Sequence, residues 1–185
     1  RILRVKFRAG LFEHPYVDQA KAVDPASFVT AEDRAKAREA AGKSMVLLKN
    51  DGPTLPLDSS KSTVVIGPLG NDKHDMLGPW WGQGKDEDAV SVFDGIKAQN
   101  PNTTFVQGCT IEDKDPPNNT PAGECGTDTG FAAAVDAAKT ADQIVLALGE
   151  SRGQSGEAAA RSEIDLPGLQ QQLIDRIRAA APNTP

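Results

Sequence analysis

The sequence predicts an α/β fold, a mostly parallel sheet flanked by helices. Two observations predict it. Short β-branched and apolar runs at residues 63–66, 103–106 and 144–148 alternate with helix-like stretches at 90–98, 131–141 and 166–180, the order that a parallel sheet wrapped by helices requires. The first and third runs also feed long irregular segments, 67–88 and 149–165. In open parallel sheets, ligands sit beyond the carboxyl ends of the strands.

Taken in order, the chain opens with a helical pattern. Ile2, Leu3, Val5 and Phe7 recur at helical spacing, Gly10 offers a C-cap, and basic residues gather toward the C-terminal end, where they suit the helix dipole. Residues 13–28 hold His14-Pro15 and Asp24-Pro25 without a clear period and read as an extended linker. Thr30 with Asp33 three residues later forms a capping-box start for a helix that Gly42 can end. Residues 44–49 contain the run Met-Val-Leu-Leu before Asn50-Asp51-Gly52-Pro53, which predicts a strand and a turn. Strand 63–66 ends at Gly67-Pro68; Val92, Phe93 and Ile96 mark a short helix; 103–106 is the second strand. An Ala-rich helix follows at 131–141, then strand 144–148. The last helix places Leu169, Leu173, Ile174 and Ile177 on one face, with Pro167 near its start.

Composition excludes whole classes. The chain has 185 residues, with 20 Lys plus Arg against 26 Asp plus Glu and a net charge of −6. That acidity argues against a nucleic-acid partner, which selects a basic face. The longest apolar runs are about five residues, against about 20 for a spanning helix, so no membrane span is expected. Gly67-Pro68-Leu69-Gly70 lacks the Gly-Lys-Ser/Thr ending of a phosphate loop, so no nucleotide cofactor is expected. Ser155 lies in Gly153-Gln154-Ser155-Gly156-Glu157, where a nucleophile elbow needs glycine in place of Glu157, and a serine hydrolase is set aside.

Cys109 and Cys125 are the only cysteines and bracket a Pro- and Asn-rich stretch. With His14 and His74 distant, they lack zinc-site spacing. They form a loop-closing disulfide in an oxidising compartment or remain two free thiols, the disulfide being preferred. Asn102-Thr103-Thr104 and Asn118-Asn119-Thr120 match the glycosylation sequon, a pattern that also arises by chance.

Chemistry concentrates in the two strand-end loops. Residues 149–161 carry Glu150, Arg152, Glu157 and Arg161. A loop carboxylic acid can serve as a general acid if burial or a neighbouring negative charge holds its proton; the plainer alternative is that both Glu residues are solvated or paired with Arg152 and Arg161. The other loop holds the only two tryptophans, Trp80 and Trp81, between Gly78-Pro79 and Gly82. Indoles serve as platforms for the apolar faces of sugar rings, or as core.

The ordered set of segments carries a resemblance. Residues 1–13, the run Ser44-Met45-Val46-Leu47-Leu48-Lys49-Asn50-Asp51-Gly52, Leu55-Pro56-Leu57, Val65-Ile66-Gly67-Pro68 and Met76-Leu77-Gly78-Pro79-Trp80 come first. Ser91-Val92, Gly95-Ile96, Ala141-Asp142, Gly149-Glu150, Ser155-Gly156-Glu157-Ala158, Arg161, Leu166-Pro167 and Gln170 follow. The whole resembles glycoside hydrolase family 3, in its bacterial β-glucosidase branch. The resemblance implies a segment of a longer chain: residues 1–13 as the last helix of a (β/α)8 barrel, 14–43 as linker and lead-in helix, and 44–185 as the truncated first part of an α/β sandwich.

It implies a retaining double displacement on a β-glucoside or oligosaccharide, with Glu157 as acid/base and Glu150 as fallback. Trp80 and Trp81 would lie near the substrate, with Trp81 departing from the small or polar residue usual there. Arg161 is placed at the substrate site and expected to pair with a carboxylate of its own loop. The Asp nucleophile is expected on the barrel domain of the same parent chain, so the segment alone is expected to be inactive. No cofactor or metal is implied, and the parent is expected outside the cell or in the periplasm. Competing readings are a parent with β-xylosidase specificity, a free-standing saccharide-binding α/β module built on the two tryptophans, and a flavodoxin-like domain without ligand.

Overall fold

The computed structural model describes residues 1–16, 18, 29–52, 54–111, 125–157 and 159–185. Most of the predicted 13–28 linker and the sequon at Asn118 lie outside the described residues. The chain divides into two compact units, residues 1–49 and 50–185.

The first unit contains helix α1 (Ile2–Arg8) and helix α2 (Ala31–Ser44). Neither has a buried residue, and Ile2, Leu3, Val5 and Phe7 stand exposed along α1. The capping box at Thr30 is present: its Oγ1 accepts the Asp33 N–H at 3.2 Å, and Asp33 Oδ2 accepts the Thr30 N–H at 3.0 Å. Two expectations change here. Gly42 does not end α2, because an interior glycine costs only about 1 kcal/mol and leaves the hydrogen-bond ladder intact; the Lys43–Glu39 pair spans that last turn. The run after Ser44 is extended at Met45 (φ −71°, ψ 134°) but is not a strand, since no strand pairs with it among the described residues.

The second unit holds the sheet. Strands β1 (Thr63–Ile66), β2 (Thr103–Val106) and β3 (Gln143–Leu146) are all parallel, in the order β2-β1-β3. Thr63 of β1 sits beside Thr103 on one side and Gln143 on the other, and the register continues in step to Ile66, Val106 and Leu146. Central β1 is buried along its whole length, as its unbroken β-branched run requires. The third strand is shorter than predicted because the backbone turns at Ala147: its N–H still bonds Ile66 O at 2.8 Å, but its carbonyl accepts from Leu69 N–H at 3.4 Å.

Helices α3 (Val92–Gln99), α4 (Phe131–Thr140) and α5 (Gln170–Ala180) cover the sheet. Strand alternation splits β1 between them. Val64 and Ile66 pack with Phe131, Ala134 and Ala138 of α4 and with Leu173 and Ile177 of α5, and this is the main core. Full burial of side chains such as Phe131 and Leu173 stabilises by about 1.5–3 kcal/mol each. Cys109 and Cys125 are bonded to one another within this cluster, their Cα atoms 5.5 Å apart. Val65 and Phe105 serve the α3 side, where the Phe93 and Phe105 rings lie 5.7 Å apart.

The amino ends of the strands are closed by a polar network. Buried Thr63 Oγ1 accepts from Asn100 Nδ2 at 3.1 Å and Gln143 Nε2 at 3.0 Å, tying all three strand beginnings together. Ser62 and Asp142 bond reciprocally: Asp142 Oδ2 accepts the Ser62 hydroxyl at 2.7 Å and its N–H at 3.0 Å, while Ser62 Oγ accepts the Asp142 N–H at 3.0 Å. The Ser62 hydroxyl and then its N–H hold the Asp142 carboxyl below the usual Asp range. A lowered folded-state pKa contributes stability that is complete above the unfolded-state pKa and is lost as pH falls through the folded one. Asp142→Asn should therefore be less stable than the native chain at pH 7, with the two converging in acid, as urea unfolding at several pH values will show. A gap that widens in acid contradicts this assignment.

Candidate active site

The sheet order decides where the two long loops go. In the order β2-β1-β3 the chain reverses its direction of winding at β1, so a crevice opens beyond the carboxyl ends of β1 and β3. The loops that follow these two strands leave the sheet side by side there. Gly67 makes this approach possible. Its φ is +130°, and an added Cβ would lie 2.2 Å from Ala147 O at the end of β3.

The second loop is anchored from below by Gln170. This side chain is fully buried; its Oε1 accepts the Gly149 N–H at 2.9 Å and its Nε2 donates to Gly149 O at 2.8 Å and Pro167 O at 3.1 Å. Both backbone groups of the residue preceding Glu150 are thus fixed by the first residue of α5. Sequence reasoning gave Gln170 no role. Its signal was a polar residue at the i, i+3, i+7 spacing of the buried Leu173 and Ile177, and a buried amide on a core face must find partners.

Beyond Gly149 the loop crosses to its neighbour. Residues Arg152–Gln154 form a 3-10 turn packed on a second such turn, Asp75–Leu77, from the first loop. The Arg152 N–H donates to Asp75 Oδ1 at 2.8 Å. Arg152 itself is buried, and its guanidinium carbon stands 5.3 Å from the centre of the Trp81 ring. His74 packs tilted against the same indole at 5.6 Å and is held by Asp86, Nδ1 to Oδ1 at 2.7 Å. Further along, Gly156 rests against Pro79, where an added Cβ would meet Pro79 Cβ at 3.3 Å. The residue before Glu157 and the residue before Trp80 are therefore neighbours.

The singled-out residues separate into two groups. Glu157 is exposed, and no hydrogen bond or ion pair engages it among the described residues. Trp80 is 72% exposed and free to present its ring. Trp81 is half-buried between His74 and Arg152. Glu150 is held by Arg161, Oε1 to Nε at 2.9 Å, and Arg161 Nη2 also reaches Asp165 Oδ1 at 2.9 Å and Asp165 O at 3.1 Å. Cys109 and Cys125 lie in the core rather than at the crevice. No cluster of three or more His, Cys, Asp or Glu suited to a metal ion is present among the described residues.

This arrangement is that of a parallel α/β domain presenting a loose carboxylate and an exposed indole at the crevice of its sheet. Residues 45–184 match the glycosyl hydrolase family 3 C-terminal domain. The chain belongs to glycoside hydrolase family 3. It is 34% identical over 204 residues to the periplasmic beta-glucosidase of Salmonella typhimurium, covering 96% of this chain and 25% of that protein. A beta-xylosidase of Formosa agariphila is likewise 34% identical over 190 residues, 96% of this chain and 24% of the other. Among solved structures, the beta-glucosidase of Listeria innocua in complex with isofagomine superposes with a TM-score of 0.77 at 30% identity, over 97% of this chain and 23% of that one. The same enzyme has been solved with glucose and, as a mutant, with laminaribiose. The chain thus spans about a quarter of the length of the relatives it matches.

The anchor at Gln170 yields a stability test. Gln170→Leu keeps the volume but strands both Gly149 backbone groups, at about 1–3 kcal/mol for each buried group left unsatisfied. The variant should lose about 3 kcal/mol of unfolding free energy, measured by urea unfolding. Native-like stability would mean that the amide does not hold the loop.

Proposed function

We propose that this chain supplies the acid/base side of a retaining β-glucosidase. Its parent hydrolyses terminal β-D-glucosyl residues, with Glu157 as the acid/base and an Asp nucleophile on a preceding barrel domain. One observation carries the reading. Glu157 is the carboxylate at the crevice that no side chain engages among the described residues, and it emerges beside exposed Trp80. A proton donor has to reach the leaving oxygen in the first step and a water in the second, so a loose, reachable carboxylate suits the work. Glu150, held by Arg161, suits the work of fixing the loop.

In the retaining mechanism Glu157 would protonate the glycosidic oxygen as the nucleophile attacks, then take a proton from the water that releases the sugar, with the two carboxyl groups about 5–5.5 Å apart. Trp80 would stack on the sugar or aglycone. In this reading residues 1–13 are the end of the barrel, and the exposed apolar side of α1 is the surface that belongs against it. The segment alone is then inactive. The name of the Salmonella relative supports a periplasmic or extracellular parent, where the Cys109–Cys125 bond persists. A second reading, β-xylosidase specificity, draws on the Formosa relative and on the plant relatives named as beta-D-xylosidases.

The test is made in the whole enzyme that contains this segment. Glu157→Gln should slow hydrolysis of aryl β-glucosides with poor leaving groups by about 10²–10⁴-fold. kcat/KM for dinitrophenyl glucoside should suffer far less, because that leaving group needs no proton, and azide should restore the slowed second step on this substrate as a β-glycosyl azide. Equal loss on both substrates, or this pattern in Glu150→Gln instead, would remove Glu157 from the role. Faster turnover of aryl β-xylosides than of aryl β-glucosides would favour the second reading.

A further inference from the structure

We propose that Trp81 is a positioning residue for the acid/base loop and does not bind sugar. The inference rests on the assignment of Glu157 and extends it to what holds Glu157 in place. Four residues lie between Arg152 and Glu157, and Glu157 has no tie of its own among the described residues. Its position therefore depends on where the loop is last fastened. That fastening is the clasp between the two 3-10 turns. The Arg152 N–H is bonded to Asp75, 77 residues away in sequence, and the Arg152 guanidinium lies over Trp81.

Several features make Trp81 the centre of this clasp. Arg152 is only 8% exposed, and a buried guanidinium over an indole is stabilised by the ring quadrupole far more than one in water. His74, pinned to Asp86, packs against the same ring. The indole is thus engaged by protein groups from its own loop and from the acid/base loop. Immediately next to it, Trp80 is exposed, with no ring partner among the described residues. The adjacent tryptophans divide the tasks: Trp80 faces outward for ligand, and Trp81 joins the loops. With the loop so held, Gly156 lies close beside Pro79, one residue short of Glu157.

A misplaced acid/base affects the step that needs its proton, and small misplacements cost about 10²-fold. In the whole enzyme, Trp81→Leu should lower kcat for poor-leaving-group aryl glucosides by about 10²-fold. kcat/KM on dinitrophenyl glucoside, which reports a glycosylation step that needs no proton donor, should change little. Trp81→Phe, which keeps a ring under Arg152, should recover most of the loss. Trp80→Ala should instead raise KM. A separate readout is hydrogen exchange of the peptide covering residues 150–161, which should quicken in Trp81→Leu while α4 and α5 stay protected.

A rise in KM for all substrates on Trp81→Leu, with unchanged exchange in the loop, would make Trp81 a sugar platform and overturn the proposal. So would a Trp81→Phe variant as impaired as Trp81→Leu. If Glu157→Gln shows no leaving-group dependence, the acid/base assignment falls, and the clasp stands or falls on the exchange measurement alone.

Discussion

The strand order β2-β1-β3, with every pair parallel, forces the loops after β1 and β3 to leave the sheet at the same end and next to one another. Nothing in either loop alone could bring Glu157 beside Trp80, which lie far apart in the chain. The crossovers are long because parallel strands need them, and their helices bury both faces of β1. Glycine at position 67 then lets the two strand ends meet at a distance that a side chain would forbid. From this constraint come the crevice, the contact of the two 3-10 turns and the placement of the candidate acid/base.

The two ends of the sheet are built from different materials. At the amino end, Thr63, Asn100, Gln143, Ser62 and Asp142 bond to one another in short hydrogen bonds, and such a network fixes register. At the carboxyl end the backbone turns through glycines, and the side chains on offer are carboxylates, guanidiniums and indoles. Gln170 links this end to the core by holding Gly149 from inside. The loop is thus bonded at its root through Gly149 and clasped in its middle at Arg152, while Glu157 is untied among the described residues. That gradient suits a group that has to serve two successive proton transfers.

Much of the fold was legible in the sequence, and the reasons are local. The β-branched runs at 63–66 and 103–106 and the helical periods around Phe131 and Leu173 are set by burial, which acts on each segment's own pattern. The segment at 44–49 shows the limit: its apolar run reads as a strand, but a strand exists only with a partner, and pairing is not a property of the run. The site was legible to a lesser degree. The loops are picked out by their position after strands, and Glu157 and Trp80 are candidates by residue type. The family resemblance implies the roles proposed for them. What could not be read were the bonds across long separations: Asp75 to Arg152, His74 and Arg152 on Trp81, and Gln170 on Gly149. Those depend on which loops the topology brings together.

The most direct test of the central claim is the structure of the whole enzyme trapped as a glycosyl intermediate with a 2-fluoro sugar. The account predicts that the Glu157 carboxyl stands over the anomeric centre, about 5–5.5 Å from the carboxyl that carries the sugar, while Glu150 remains against Arg161. Glu150 in that place, with Glu157 turned to solvent, would contradict it.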